Sequence, residues 1–267
     1  MKKAMLLLVI AAFLSGGCSS LDTGKLPFTK KETENHDNDG NKQADKDSSG
    51  TSSPSLEAAY FNDIDTVDGR KVIQNPFNHL ALVNKDYALP SSYVPDDLVR
   101  ANVAFSFGDQ QLEKALLREE AAEAMEKMFN EAKQQGVELF AVSGYRSHVR
   151  QTEVFDAEVQ RVGEEKAAEA VAYPGNSEHQ TGLAMDISGQ SIGFALSEEF
   201  GSVKEGHWLA DHAHNFGFIL RYPKGKEEIT GYQYEPWHFR YVGKKAATEI
   251  YKNKWTLEEY FKTVRKI

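Results

Sequence analysis

His179 and Asp186 stand towards the two ends of SEHQTGLAMD, residues 177–186, with Gly182, Leu183, Ala184 and Met185 between them. Imidazole and carboxylate both bind divalent metal ions, so the pair raises the question of a metal site. If residues 182–187 form a strand, Ala184 and Asp186 share one face and Met185 points to the other. His179 then lies on the loop entering that strand, behind Pro174, Gly175 and Asn176, where its ring and the carboxylate can converge. On its own such a pair is weak evidence, because most are surface residues or partners within a turn.

Two ligands do not make a catalytic zinc site, which takes three protein ligands and keeps a position open. The run YEPWHFRYV, residues 234–242, offers a third in His238, set among aromatic residues that would hold its ring. Glu235 lies three residues earlier, where Pro236 interrupts regular strand pairing. A carboxylate near the metal but not bound to it is what hydrolysis by an activated water needs as a base. The residues themselves therefore give two histidines and an aspartate as ligands, with a glutamate in a separate role.

Ser-x-His-x-x-Gly-x-Ala-x-Asp at 177–186, Glu-Pro-Trp-His at 235–238 and SGYRS at 143–147 together resemble the zinc D-alanyl-D-alanine carboxypeptidase family, which includes VanY, VanX and the LdcB-type enzymes. The resemblance runs from about residue 90 to residue 242, with the motifs in the family's order. It implies one Zn2+ held by His179, Asp186 and His238, with Glu235 as the catalytic base. It also implies that Arg146 faces the substrate and steadies a carbonyl oxygen or carboxylate near the scissile bond. The substrate it implies is a peptidoglycan stem peptide losing its terminal D-alanine. A guanidinium suits that carboxylate through paired donors. Gln151 and Ser177, polar and close in sequence to Arg146 and His179, are further candidate substrate contacts. The motif set with the N-terminal features below favours the LdcB-like LD cleavage of a tetrapeptide over DD cleavage of a pentapeptide. The alternative is a zinc-bearing cell-wall-binding module of the same fold that does not cut. Glu235 and Arg146 speak against it, because a binder needs no poised base.

The other histidines are weaker candidates. His212 and His214 are two apart, so on one helix they point about 200° apart and share a metal poorly. His79, His148 and His207 read as turn, surface or cleft-edge residues, and His36 lies in a polar run without a partner.

The elements that must carry these residues can be read by period. Leu112, Leu116, Met125, Met128, Phe129 and Ala132 recur at three- and four-residue steps, predicting a helix over 110–135. Strands are expected at 137–142, 182–187, 218–221 and 234–241, and helices at 147–162, 164–172, 208–215 and 256–264. Residues 72–95 alternate short apolar runs with Asn and Pro, as strands and turns do. The mixture lacks a βαβ rhythm. It predicts an α+β fold, a single domain with helices packed on a small antiparallel sheet that carries the zinc site, hedgehog- or DD-peptidase-like.

Composition sets the limits. Lys2 and Lys3 precede an apolar stretch, residues 4–14, too short to span a bilayer, and then Cys18, the chain's one cysteine. This resembles a bacterial lipoprotein signal: residues 1–17 are read as the signal peptide, with Cys18 lipidated. Residues 18–55 read as a lipidated N-terminus and polar tether, and 56–267 as the carboxypeptidase domain. The expected location is the outer face of the cell membrane, as a lipid-anchored monomer. Removing residues 1–17 deletes two lysines and no acids, taking the net charge from −9 to −11. No basic run with interleaved aromatics and no glycine-rich phosphate loop occurs, so nucleic acid and nucleotide are not expected partners.

Overall fold

Four short strands, Phe140–Ser143, Ala184–Ser188, His238–Tyr241 and Phe218–Leu220, lie side by side in that order, each antiparallel to its neighbour. In the computed structural model, which describes residues 54–267, this sheet is the centre of an α+β unit. The signal peptide, Cys18, His36 and nearly all of the tether lie outside the described residues.

Period-two alternation sorts the side chains of the sheet. Met185, Ile187, Phe239 and Tyr241 enter the main apolar core. Asp186, His238 and Arg240 take the opposite face, and all three are buried. Against the apolar face packs the helix Glu119–Gln134, through Ala121, Ala122, Met125, Met128, Phe129 and Ala132. Trp208 and Leu209 of the helix Lys204–His212 join it. Burying one Phe or Met side chain is worth about 1.5–3 kcal/mol, so this layer holds the sheet rigid beneath the polar face.

The helix expected from residue 110 begins instead at Glu119. Glu113–Ala115 forms a 3-10 turn, and Leu116–Arg118 pairs as a strand with Leu98–Arg100. The Arg118 side chain meets Asp97 Oδ1 at 2.9 Å, and its backbone N–H donates to the Gly182 carbonyl at 2.8 Å. These tertiary bonds draw a helix-spaced segment into extended form. Residues 234–237 are likewise a turn, not part of the strand. Pro236 has no N–H to give a ladder, and the His238 N–H closes the turn on the Glu235 carbonyl at 3.2 Å.

Behind the sheet, Lys244–Asn253 and Leu257–Thr263 form a second layer. Ile250, Leu257 and Tyr260 pack there with Leu56, Leu80 and Ile219. Thr256 Oγ1 accepts from the Glu259 N–H at 3.2 Å while the Glu259 carboxylate accepts from the Thr256 N–H at 2.8 Å. This capping box fixes the start of the last helix and so the position of Glu258.

Candidate active site

Asp186 occupies the middle of the polar face. Strand register sets His238 opposite it on one side and Ser143 on the other. A register shift between Ala141 and Ser143 turns the chain out of the sheet there. The backbone then passes so close to Leu116 that a Cβ on Gly144 would lie 2.6 Å from the Leu116 carbonyl oxygen. Only glycine fits, and its own carbonyl is left facing the ring of His179. His179 sits on the 3-10 turn Glu178–Thr181, which closes at Gly182 in the left-handed region, φ 68°. That turn delivers the ring over the start of the Asp186 strand, as the sequence predicts.

The three expected ligands converge: one donor atom from each of His179, Asp186 and His238 lies within 4.8 Å of the others. The outward nitrogens of both rings are committed. His179 Nδ1 is 2.8 Å from the Gly144 carbonyl, and His238 Nε2 is 3.3 Å from Glu178 Oε2. A carbonyl or carboxylate oxygen can only accept, so these nitrogens carry the protons. In the neutral rings, His179 Nε2 and His238 Nδ1 then present lone pairs to the Asp186 oxygens, at 3.4 and 3.1 Å. Lone pairs facing lone pairs repel, and a cation at their centre makes all three into ligands.

The electrostatics agree. Burial brings His179 down to about 3, which keeps it neutral. Burial also works against charge on His238, yet its hydrogen bonds to Asp186 and Glu178 raise it to about 9. With no ion bound His238 is therefore an imidazolium whose Nδ1–H donates to Asp186, and a metal ion would take the place of that proton and leave Nδ1 as a ligand. Two imidazole nitrogens and a carboxylate fit zinc and several other first-row ions.

Glu235 stands beside the triad without joining it. Its Oε2 is 3.9 Å from His238 Nδ1, and burial pushes its carboxyl up to about 7. Such a group can take up and release a proton near neutrality. Arg146 lines the same cleft. Its Nη1 donates to Gln151 Oε1 at 3.0 Å and its Nη2 reaches Ser143 Oγ at 3.3 Å. Gln151, expected as a substrate contact, is buried and braced by its Nε2 donating to the Ala172 carbonyl at 2.7 Å. Its observed partner is Arg146, which it orients. Ser177 is buried and also lines the cleft.

The cleft encloses about 240 Å³ and brings in residues the sequence did not single out. Tyr222 lies against His238, ring centres 5.0 Å apart, and Tyr232 against Tyr222 at 4.8 Å. The Tyr232 hydroxyl is buried with no hydrogen-bond partner among the described residues. Glu178 was passed over inside the motif itself. A larger cavity, about 640 Å³, lies among Tyr60, His79 and Tyr241, but among the described residues it gathers no ligand triad. Of the remaining histidines, His79 lies beside Tyr60, His212 on Trp208 and His214 on Tyr251, and His207 is exposed.

Comparison with known proteins follows the same lines. Residues 114–244 match the family model of VanY, D-alanyl-D-alanine carboxypeptidase. The putative carboxypeptidase YodJ of Bacillus subtilis (strain 168) is 55% identical over 262 residues, covering 97% of this chain and 95% of that protein. The LdcB LD-carboxypeptidase structure superposes with a TM-score of 0.78 at 62% identity, over 80% of this chain and 99% of that one. The vancomycin-resistance D,D-pentapeptidase VanY, solved with Zn(II), gives a TM-score of 0.56 at 36% identity, over 68% and 98%.

Proposed function

This chain belongs to the VanY family of D-alanyl-D-alanine carboxypeptidases and is a carboxypeptidase acting on peptidoglycan, and from that premise we propose that it works as a zinc-dependent LD-carboxypeptidase on stem tetrapeptides. The observation that carries the zinc dependence is the convergence of His179 Nε2, Asp186 and His238 Nδ1, with both outward ring nitrogens already taken. The greater likeness to LdcB than to VanY supports LD over DD cleavage.

A zinc ion held by His179, Asp186 and His238 would supply Lewis acidity, the chemistry that lowers the barrier to attack of water on a peptide carbonyl near neutral pH. The chain's residues do the rest. Glu235 accepts a proton from the attacking water as the C–O bond forms, and returns it to the D-alanine nitrogen as the C–N bond breaks. Arg146, held flat by Gln151, turns its remaining N–H groups to the negative oxygens of the substrate. Tyr222, Tyr232 and Trp237 form an aromatic wall along the cleft.

Mass spectrometry of stem tetrapeptide and pentapeptide incubated side by side, with and without a chelator, tests this reading. We expect the tetrapeptide to lose one alanine, and the chelator to stop it. Loss from the pentapeptide alone makes the enzyme a DD-carboxypeptidase. Bound zinc with neither peptide changed makes it a binding module.

We also place the enzyme on the outer face of the cell membrane, held by a lipid on Cys18 with residues 19–55 as tether. The apolar stretch before Cys18 and the polar composition after it support this. The Cys18→Ser chain should leave the membrane fraction, and continued sedimentation with membranes would overturn the anchor.

A further inference from the structure

Four charged side chains outside the proposed mechanism are buried together behind His238: Glu178, Arg221, Arg240 and Glu258. Two positive and two negative charges cancel there. Glu178 Oε1 accepts from both arginines, from Arg221 Nε at 2.8 Å and Arg240 Nη1 at 2.7 Å. Arg221 spends its other nitrogens on Glu258, at 2.9 and 2.6 Å. Arg240 spends Nη2 on the carbonyls of His79 and Ala81, at 3.0 and 2.9 Å, and Nε on that of Tyr241. Every guanidinium nitrogen named here has an acceptor, and Glu178 Oε2 is left over. Its partner is His238 Nε2 at 3.3 Å.

We propose that Glu178 is a positioning residue for the metal: pinned in its charged form by Arg221 and Arg240, it accepts the Nε2 proton of His238 and so keeps Nδ1 bare for the ion. This rests on the zinc reading above. Its logic is geometric. The two arginines face one oxygen and the imidazole faces the other, so the carboxylate has a donor side and a histidine side. An ionised carboxylate accepts at both oxygens, which leaves the histidine one way to bind it. An outward hydrogen bond of this kind fixes the ring's orientation and tautomer and raises its basicity as a ligand.

The isosteric change Glu178→Gln is therefore informative beyond the loss of a charge. Gln has a single side-chain oxygen, and two arginine donors compete for it. Its NH2 group is then turned to His238 Nε2. A donor facing Nε2 requires a lone pair there and moves the ring proton to Nδ1, the nitrogen the metal needs. Glu258→Gln disturbs the same buried cluster but touches Arg221 and Asn84, not His238. It separates an effect on the ligand from an effect on folding.

The experiment is zinc affinity by competition with a chelator of known strength, using the full chain, with thermal unfolding of each variant alongside. Zinc affinity should fall about 10- to 100-fold in Glu178→Gln and stay within about threefold in Glu258→Gln. In the zinc-loaded protein, the low-field proton resonance of His238 Nε2–H should shift or vanish in Glu178→Gln and persist in Glu258→Gln. If Glu178→Gln does not fold, Glu178→Asp keeps the charge for the arginines but withdraws the carboxylate from the ring by one methylene, and about a tenfold loss is expected. Wild-type binding with unchanged affinity in the folded Glu178 variant, or equal losses in both Gln variants, overturns the proposal alone. A wild-type chain that takes no zinc overturns the zinc reading and this proposal with it.

Discussion

Glu178 and Glu235 flank the same imidazole, 3.3 Å from Nε2 and 3.9 Å from Nδ1 of His238, and their surroundings are opposite. Burial alone would raise both carboxyls. At Glu178 the Arg221 and Arg240 guanidiniums overturn that and hold the group well below the ordinary carboxylate range. At Glu235 no side chain among the described residues hydrogen-bonds the carboxylate, and burial carries it up to about 7. One residue type thus serves as a permanent acceptor on the sealed side of the ring and as an exchangeable acceptor on the cleft side. Two carboxylates whose neighbours drive them apart in acidity are suited to different tasks, and here the geometry separates the same tasks.

The largest effect should come from breaking the cleft side. Glu235→Gln keeps the shape and removes the proton acceptor, so kcat should fall by about 10²- to 10⁴-fold while zinc content stays at the wild-type level. A variant that remains fully active removes Glu235 from the base role. Breaking the sealed side should instead be felt in stability. Glu258→Gln takes one acid from a buried cluster and should cost roughly 3 kcal/mol in chemical denaturation at neutral pH, with kcat little changed. The pH dependence has a definite sign. Burial raises Glu258, but Arg221 outweighs it and lowers the folded-state value below 4.5. A depressed folded pKa gives stability that is full above the unfolded value and is lost as pH falls through the folded one. The difference between wild type and variant should therefore shrink below about pH 4.5. A difference that persists unchanged in acid would mean that Glu258 acts by packing, not by charge.

The two sides were also unequally legible in the sequence. The cleft side is written in short runs: His179 and Asp186 lie within ten residues, Glu235 and His238 within four, and a strand's alternation faces them together. The sealed side joins Glu178 to Arg221 across 43 residues and to Arg240 across 62, and no local period links them. A lone arginine in a sequence reads as a surface residue. The available signal was that Arg240 alternates with His238 on the polar face of a strand whose other residues are aromatic. The same limit explains the helix expected from residue 110. Leu112 and Leu116 have helical spacing, but Leu116–Arg118 is claimed by a strand partner near residue 99 that a local window does not contain.

Smaller changes in the cleft sharpen the contrast. Arg146→Lys keeps the charge but loses the planar fork that Gln151 holds in place. One charged hydrogen bond is worth about 1.5–3 kcal/mol, so kcat/KM should fall roughly 10- to 100-fold with no loss of zinc. If Lys works as well as Arg, a point charge is all the substrate needs at that position.

Tyr232 tests the cleft at its most specific. Among the described residues the buried Tyr232 hydroxyl has no partner, which costs stability in the free enzyme, and its residue lines the cleft, so we predict that a bound substrate supplies the acceptor. Burial raises its pKa, so it stays a neutral donor over the working range. Tyr232→Phe removes the hydroxyl and leaves the ring against Tyr222. The expected result is a KM raised about two- to tenfold, an unchanged kcat, and a thermal stability equal to or slightly above that of wild type. This is the reverse of Glu258→Gln, where stability falls and turnover holds. If KM is unmoved while stability rises, the hydroxyl serves neither side and the substrate passes it by.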